Sequence, residues 1–325
     1  DQIEAPTPAQ RLVFGERRRR VPSLFDLDYP AMLGVVQNQD AYAQGVAAQR
    51  PFYFDHLREL TDQAFDEYAA LSGRRYSRVQ GYRLDDAEWV LAGMGTVVPN
   101  AEAVVDHLRE QGVKAGVLNV TMFRPFPSDL IASLLAGKKG VTVLERLDQP
   151  LAVDPPLLRE IRAAMGQAVE NGRAAAPTRR RFSLPTNGST PLPYPSLPAL
   201  SADQVPDFWA AGFGFGSRDL QAGDLVAAVE HMRGGDRSRR HYYIGVDFIR
   251  KDTRLPKLQV WQDKLEEAYP GIGKRALPPS TQINLLPKDA VSLRIHSVGG
   301  WGAITMGKNV ALTAFELFGI CLLYT

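Results

Sequence analysis

Between residues 87 and 146 three short apolar runs alternate with two segments of helical periodicity, and that alternation leaves few folds open. Trp89-Val90-Leu91-Ala92-Gly93-Met94-Gly95 reads as a buried strand that stops at glycines. A helix is expected from Pro99 to Gln111, with Pro near its first turn, Ala103, Val104 and Leu108 on one face, and Gly112 as its stop. Val117-Leu118-Asn119-Val120-Thr121 is a second apolar strand, Pro127 to Leu135 a second helix, and Val141-Thr142-Val143-Leu144 a third strand. Strands separated by helices of this length form βαβ units, hence a parallel sheet with right-handed crossovers. Their continuous apolar character fits a sheet covered on both faces.

The flanking segments are less regular. Residues 1–56 hold Pro6, Pro8, Pro22, Pro30 and Pro51 as breakers and read as irregular. Leu57, Leu60, Ala64, Phe65, Tyr68 and Leu71 predict an amphipathic helix over 57–72, closed by Gly73. A further helix is expected within 151–163, around Leu157 to Ile161. The proline-dense stretch 174–206 reads as an ordered surface excursion or a semi-rigid linker. Gly223-Asp224 would cap a short helix from Leu225 to Met232, and Tyr242 to Val246 is a strand candidate. Val291 to His296 alternates like a strand, Ser297 to Gly302 forms a glycine turn, and Ala303 to Phe318 has helical periodicity.

Composition excludes more than it selects. A net charge of +2 points neither to nucleic acid nor to a membrane surface, and no apolar run approaches the roughly 18 residues of a spanning helix. The run Arg17–Arg20 is either a phosphate contact or a solvated loop, and no interleaved aromatics support the former. The single cysteine, Cys321, excludes a disulfide framework or an iron–sulfur cluster held within these residues. His56, His107, His231, His241 and His296 are scattered without the spacing of a helical metal site. The start at Asp1-Gln2-Ile3-Glu4 has no Met and no apolar leader, so an internal piece of a cytoplasmic protein is expected.

Three segments are candidates for binding. The turn Gly299-Gly300-Trp301-Gly302-Ala303 precedes a helix, where backbone amides favour an anion, yet it lacks dinucleotide and P-loop spacing. It is either a phosphate site or a structural turn. Gly212 to Asp219 is either a loop anchored by Phe213 and Phe215 or a substrate loop. Arg124 follows a parallel strand, where ligands gather, and either faces an anionic group or a partner domain or forms a structural salt bridge. No Ser/His/Asp set or carboxylate pair stands out, so no catalytic residue is assigned in the chain.

Several stretches, in order along the chain, resemble pyruvate:ferredoxin oxidoreductases of the 2-oxoacid:acceptor oxidoreductase family. They are Gln37 to Gly45 followed by Pro51-Phe52-Tyr53, Leu71 to Tyr76, Gly93 to Thr96, Gly116 to Phe126, Val141 to Arg146, Phe213 to Asp219, Tyr243 to Asp247, and His296 to Lys308. Trp301 departs from the family's acidic residue in the last of these. The resemblance implies an α/β chain with a parallel-sheet, transketolase C-terminal-like domain followed by the start of a γ-type α/β domain. Residues 1–80 would end a first, pyrimidine-binding type domain. Residues 81–240 would be the transketolase-like domain, and 241–320 a linker and the opening of the γ domain. It implies oxidative decarboxylation of a 2-oxoacid with coenzyme A to acyl-CoA and CO2. Thiamine diphosphate, Mg2+ and [4Fe–4S] clusters would lie elsewhere in a homodimeric full-length enzyme, and ferredoxin or flavodoxin would accept the electrons. Coenzyme A would sit at Gly299, Gly300, Trp301, Gly302 and Ala303. The isolated piece is expected to be inactive.

Two other readings remain open at this level, a β-subunit-like piece of a thiamine-dependent dehydrogenase or transketolase, and a non-catalytic ligand-binding module. Cys321 to Thr325 back-translates to TGT-CTC-TTA-TAC-ACA, which resembles a sequencing adaptor, so residues 321–325 are expected to be read-through.

Overall fold

In the computed structural model the described residues are 7–8, 27–28, 36–175, 192–250, 253–280, 283, 285 and 302–319. They fall into two units, Asp1–Ile283 and Asn284–Thr325. Arg17–Arg20, the strand expected at 291–296, and residues 321–325 lie outside the described residues.

The first unit begins with α1 (Gln39–Gln49), a π-helical turn (Arg50–Asp55) and α2 (His56–Ser72). The irregular reading of 1–56 is corrected over residues 39–56. Asn38 caps α1 by accepting the amide of Ala41, and Pro51 sits at the start of the π turn, where a missing N–H does least harm. Gly73 closes α2 in the left-handed conformation, as its position predicted.

A six-stranded sheet follows: β1 (Val79–Tyr82), β2 (Trp89–Gly93), β3 (Ala115–Val120), β4 (Gly140–Glu145), β5 (Asp207–Gly212) and β6 (His241–Tyr243). Its order is β1-β3-β2-β4-β5-β6, with β1 antiparallel to β3 and every other pair parallel. The helices between strands are α3 (Val97–Glu110), α4 (Ser128–Leu135), α5 (Pro156–Ala175) and α6 (Ala222–Gly234). The strands expected at 89, 117 and 141 are all present, in parallel pairing. β6 lies past residue 240, the expected end of the second domain, and yet extends the same sheet.

Side-chain alternation separates the two faces. Val90, Ala92, Leu118, Val120, Val141, Val143, Phe208 and Ala210 pack with Ile131 and Leu135 of α4 and Leu158, Ile161 and Met165 of α5. Thr142 points the other way, to Met232 of α6, and α3 packs beside α6 on that face. The step from β2 to β3 runs one way across the sheet with α3 on one face. The steps to β4 and then β5 run the other way with α4 and α5 on the opposite face, so these three share a hand. The step from β5 to β6 continues in that direction with α6 on the α3 face. This last crossover therefore has the opposite hand, against the right-handed expectation. The physical reason is occupancy: α5, Leu197 and Leu200 already cover Phe208 and Ala210 on the α5 face. α6, buried through Leu225, Val226, Ala228, Val229 and Met232, fills the layer over β2 and β4 instead.

The described ends of the connector are tied to α5, in line with an ordered excursion, and residues 176–191 lie outside the described residues. α5 runs on to Ala175, and buried Asn171 donates to the carbonyls of Tyr194 (2.8 Å) and Leu197 (3.0 Å) while accepting the Tyr194 amide (3.0 Å). After β6 come α7 (Pro256–Ala268) and a short 3-10 turn, Ile272–Arg275. The second unit shows α8 (Ala303–Phe318), which matches the helix read from its periodicity.

Candidate functional site

In an open parallel sheet the connections leaving adjacent strands toward opposite faces leave a crevice at the strands' carboxyl ends. Here those strands are β2 and β4. β2 runs into Met94-Gly95-Thr96 and then α3, and β4 runs through Glu145 into Arg146 and Asp148. Gly95 adopts φ 74°, a left-handed turn that lets the chain leave the strand and enter α3 at once.

Glu145 is buried at the crevice and accepts the amides of Leu157 (2.8 Å) and Leu158 (3.2 Å), the opening of α5. Burial pushes its carboxyl above the usual range, and the two amide bonds partly offset that. The Tyr243 hydroxyl donates to Asp148 (2.5 Å), and burial followed by the Asp148 charge pushes it up to about 12. His241 stands 3.8 Å from the same carboxylate.

The loop Gly212 to Asp219 leaves β5 at this end of the sheet. Phe215 packs edge-on to Tyr243 at 5.5 Å, so one of the two phenylalanines is an anchor, as the loop reading has it. A Cβ at Gly214 would stand 2.8 Å from the Arg146 guanidinium, and its φ is 72°. The loop thus lies on Arg146, and two glycine requirements are met at one position. Arg124 donates to Glu160 (2.9 Å) and stacks over Phe123 at 4.2 Å, which is the structural alternative of the two it left open. Of the turn at 299–303, Gly299, Gly300 and Trp301 lie outside the described residues. Gly302 is left-handed (φ 72°) directly before α8.

Sequence reasoning missed Glu145, Asp148 and Tyr243. The signal for Glu145 was its place at the end of an apolar strand, where a lone carboxylate before a Pro-Pro helix start is a cap. Among the described residues no group of three His, Cys, Asp or Glu could hold a metal, and no helix is long and apolar enough to cross a membrane. What the crevice does hold is positioning chemistry: a helix cap, a Tyr–Asp bond and arginine-backed glycine loops.

The fold and crevice define an α/β protein of open, mostly parallel sheet. Residues 87–176, which span β2 to the end of α5, match the family described as pyruvate:ferredoxin oxidoreductase core domain II. The resemblance read from the motifs is borne out over that segment. The chain is 34% identical over 149 residues to a probable pyruvate-flavodoxin oxidoreductase of Escherichia coli, covering 45% of this chain and 12% of that protein. It is 32% identical over 151 residues to pyruvate synthase subunit PorA of Thermotoga maritima, covering 46% of this chain and 38% of that subunit. It is 30% identical over 145 residues to the pyruvate:ferredoxin oxidoreductase of Moorella thermoacetica, covering 44% of this chain and 12% of that enzyme. The chain thus spans well under two thirds of these relatives.

Proposed function

We propose that the chain is an internal portion of a 2-oxoacid:ferredoxin or flavodoxin oxidoreductase, pyruvate being the substrate its relatives' names point to. In this reading the complete enzyme oxidatively decarboxylates the oxoacid with coenzyme A to acyl-CoA and CO2. The observation that carries this is the match of residues 87–176 to core domain II, set among motifs that run in the family's order on both sides of it. The sheet with helices on both faces supports a domain of transketolase C-terminal type, and the left-handed Gly302 before α8 supports a γ-type opening.

The cofactors divide by what these residues fit. One cysteine cannot ligate a four-cysteine cluster, so [4Fe–4S] centres belong to other parts of the enzyme in this reading. Thiamine diphosphate with Mg2+, which supplies the carbanion chemistry when bound, likewise finds no group of metal ligands among the described residues. Gly299, Gly300, Trp301, Gly302 and Ala303 are the proposed coenzyme A contact. A left-handed glycine ahead of a 16-residue helix suits a phosphate, because it leaves the first amides uncovered. The share of this chain is to bind and orient, and the electron acceptor and cytoplasmic location follow from the same reading.

Sequencing the source DNA past both ends, then assaying the complete protein, tests the proposal. An in-frame cysteine-rich segment, a thiamine motif, and 2-oxoacid- and CoA-dependent reduction of ferredoxin or flavodoxin are expected. A complete reading frame without these would overturn it.

A further inference from the structure

Two adjoining clefts lie on the first unit, on the β3–β1 side of the β2 strand end. One, of about 570 Å3, sits at the carboxyl ends of β2 and β3 and is walled by Tyr76, Met94, Val98 and Pro99 with Asn119 and Thr121 at its polar side. The other, of about 470 Å3, runs along the edge strand β1 past Gln80 and Tyr82. Glu102 of α3 is the one residue that lines both.

The surroundings of Glu102 are unbalanced. Among the described residues its carboxylate has no hydrogen-bond or ion-pair partner, although it is partly buried. Burial, then the nearby Asp106, pushes its carboxyl upward. Asp106, one turn on, accepts the Tyr82 hydroxyl (2.8 Å) at one oxygen and is ion-paired with Arg83 at the other, so the nearest guanidinium is already engaged. The Asn119 amide nitrogen donates to Gln80, which leaves its carbonyl oxygen open. Tyr76 is held by Tyr68 (5.8 Å) and Phe65 (6.5 Å), so its ring is a fixed wall. Spare acceptors, an uncompensated carboxylate and apolar walls call for a donor that is cationic at one end and apolar along its body.

We propose that this cleft binds an organic ammonium group, with the charge at Glu102 and the apolar body between Tyr76, Met94 and Pro99. The same chemistry is offered by a free aralkyl amine and by a lysine side chain. The proposal is independent of the oxidoreductase reading.

Calorimetric titration of the 325-residue chain with phenethylammonium and with its neutral analogue 2-phenylethanol tests it without any substitution. Saturable ammonium binding, at least about tenfold tighter than the alcohol, is expected, because a charge-assisted bond is at stake. Glu102→Gln keeps the shape and should weaken ammonium binding by about tenfold while leaving the alcohol unchanged. Tighter binding of Nα-acetyl-lysine amide than of phenethylammonium would identify a lysine side chain as the occupant, and the reverse order a free amine. Equal binding of amine and alcohol, no binding of either, or full ammonium affinity in folded Glu102→Gln would each overturn it.

Discussion

The carboxylate of Glu145, the last residue of β4, accepts the backbone amide of Leu157 at 2.8 Å and so fixes the first turn of α5 to the strand end. A strand and the helix that follows it are thereby joined across the intervening loop by one side chain, which also takes the amide of Leu158. Removing the carboxylate leaves both amides of a buried helix start unpaired.

Glu145→Ala is expected to cost about 1–2 kcal/mol, the usual worth of a lost cap. The pH dependence has a definite sign. The folded carboxyl titrates above its unfolded value, so the folded state holds the proton more tightly between the two. Stability should fall as pH rises from the ordinary glutamate range through the folded value, and Glu145→Gln should flatten that slope. Urea unfolding at several mildly acidic pH values measures both, and an unchanged slope in the glutamine variant would count against this account.

Asn171 and Gly172 together hold the end of the 192–200 segment on α5. Asn171→Ala would remove the partner of the buried Leu197 carbonyl and of the partly buried Tyr194 amide and should cost about 1–3 kcal/mol. Gly172→Ala, which in an open helix would gain about 1 kcal/mol, should instead destabilise by at least 2 kcal/mol. Its Cβ would stand 1.9 Å from the Leu200 carbonyl oxygen. Denaturant midpoints of the two variants are the measurement, and a stabilised Gly172→Ala would show that the segment yields.

Arg78 ties α2 to the sheet domain, with its guanidinium 2.9 Å from Asp62 and 3.3 Å from Asp129. It is 7% exposed, but Asp62 is half open to water, so the pair is worth less than a fully buried one. Arg78→Met should cost about 1–3 kcal/mol and speed proteolytic cleavage within α2 more than elsewhere. Cleavage mapped by mass spectrometry decides it, since uniform acceleration would mean global loosening only.

Tyr243 should titrate late among the tyrosines of the described residues, though before the fully buried Tyr242. With its hydroxyl pushed up to about 12, the folded state keeps a proton that the unfolded chain releases near 10, so it loses stability as pH rises through that window. Tyr243→Phe should leave the ultraviolet titration unchanged below about pH 11 and reduce its amplitude only above that. It should also cost about 1 kcal/mol at neutral pH through loss of the bond to Asp148.

How much of this was legible in the sequence depends on where the hydrophobic pattern was local. β2, β3 and β4 declared themselves because their residues are nearly all apolar, Asn119 in β3 and Thr142 and Glu145 in β4 being the exceptions. β1 was invisible: Val79-Gln80-Gly81-Tyr82 is an edge strand, and only its pairing with β3 makes it one. β5 was hidden behind the prolines of 174–206, although Phe208 and Trp209 are among the largest buried side chains. α1 was missed because its apolar residues are spread around the helix and leave no stripe to read. The helices at 57–72 and 303–318 were plain from periodicity alone. At the crevice, glycine turns were readable and partners were not, because Glu145–Leu157 and Tyr243–Asp148 join residues 12 and 95 positions apart.

The reversed hand of the last crossover has a consequence for the nascent chain. β2 and β4 are complete by residue 145, yet the helix that covers their α3-side face, α6, is not made until residue 234. At the usual pace of translation that is a delay of roughly 5–20 seconds, during which a finished apolar surface has no lid. The oligomeric holdases of the cell, or the protein's own neighbouring chains on a polysome, would meet that surface before α6 does. Early misassembly in a cell-free synthesis should therefore peak for chains arrested between these two points and vanish once α6 has left the ribosome.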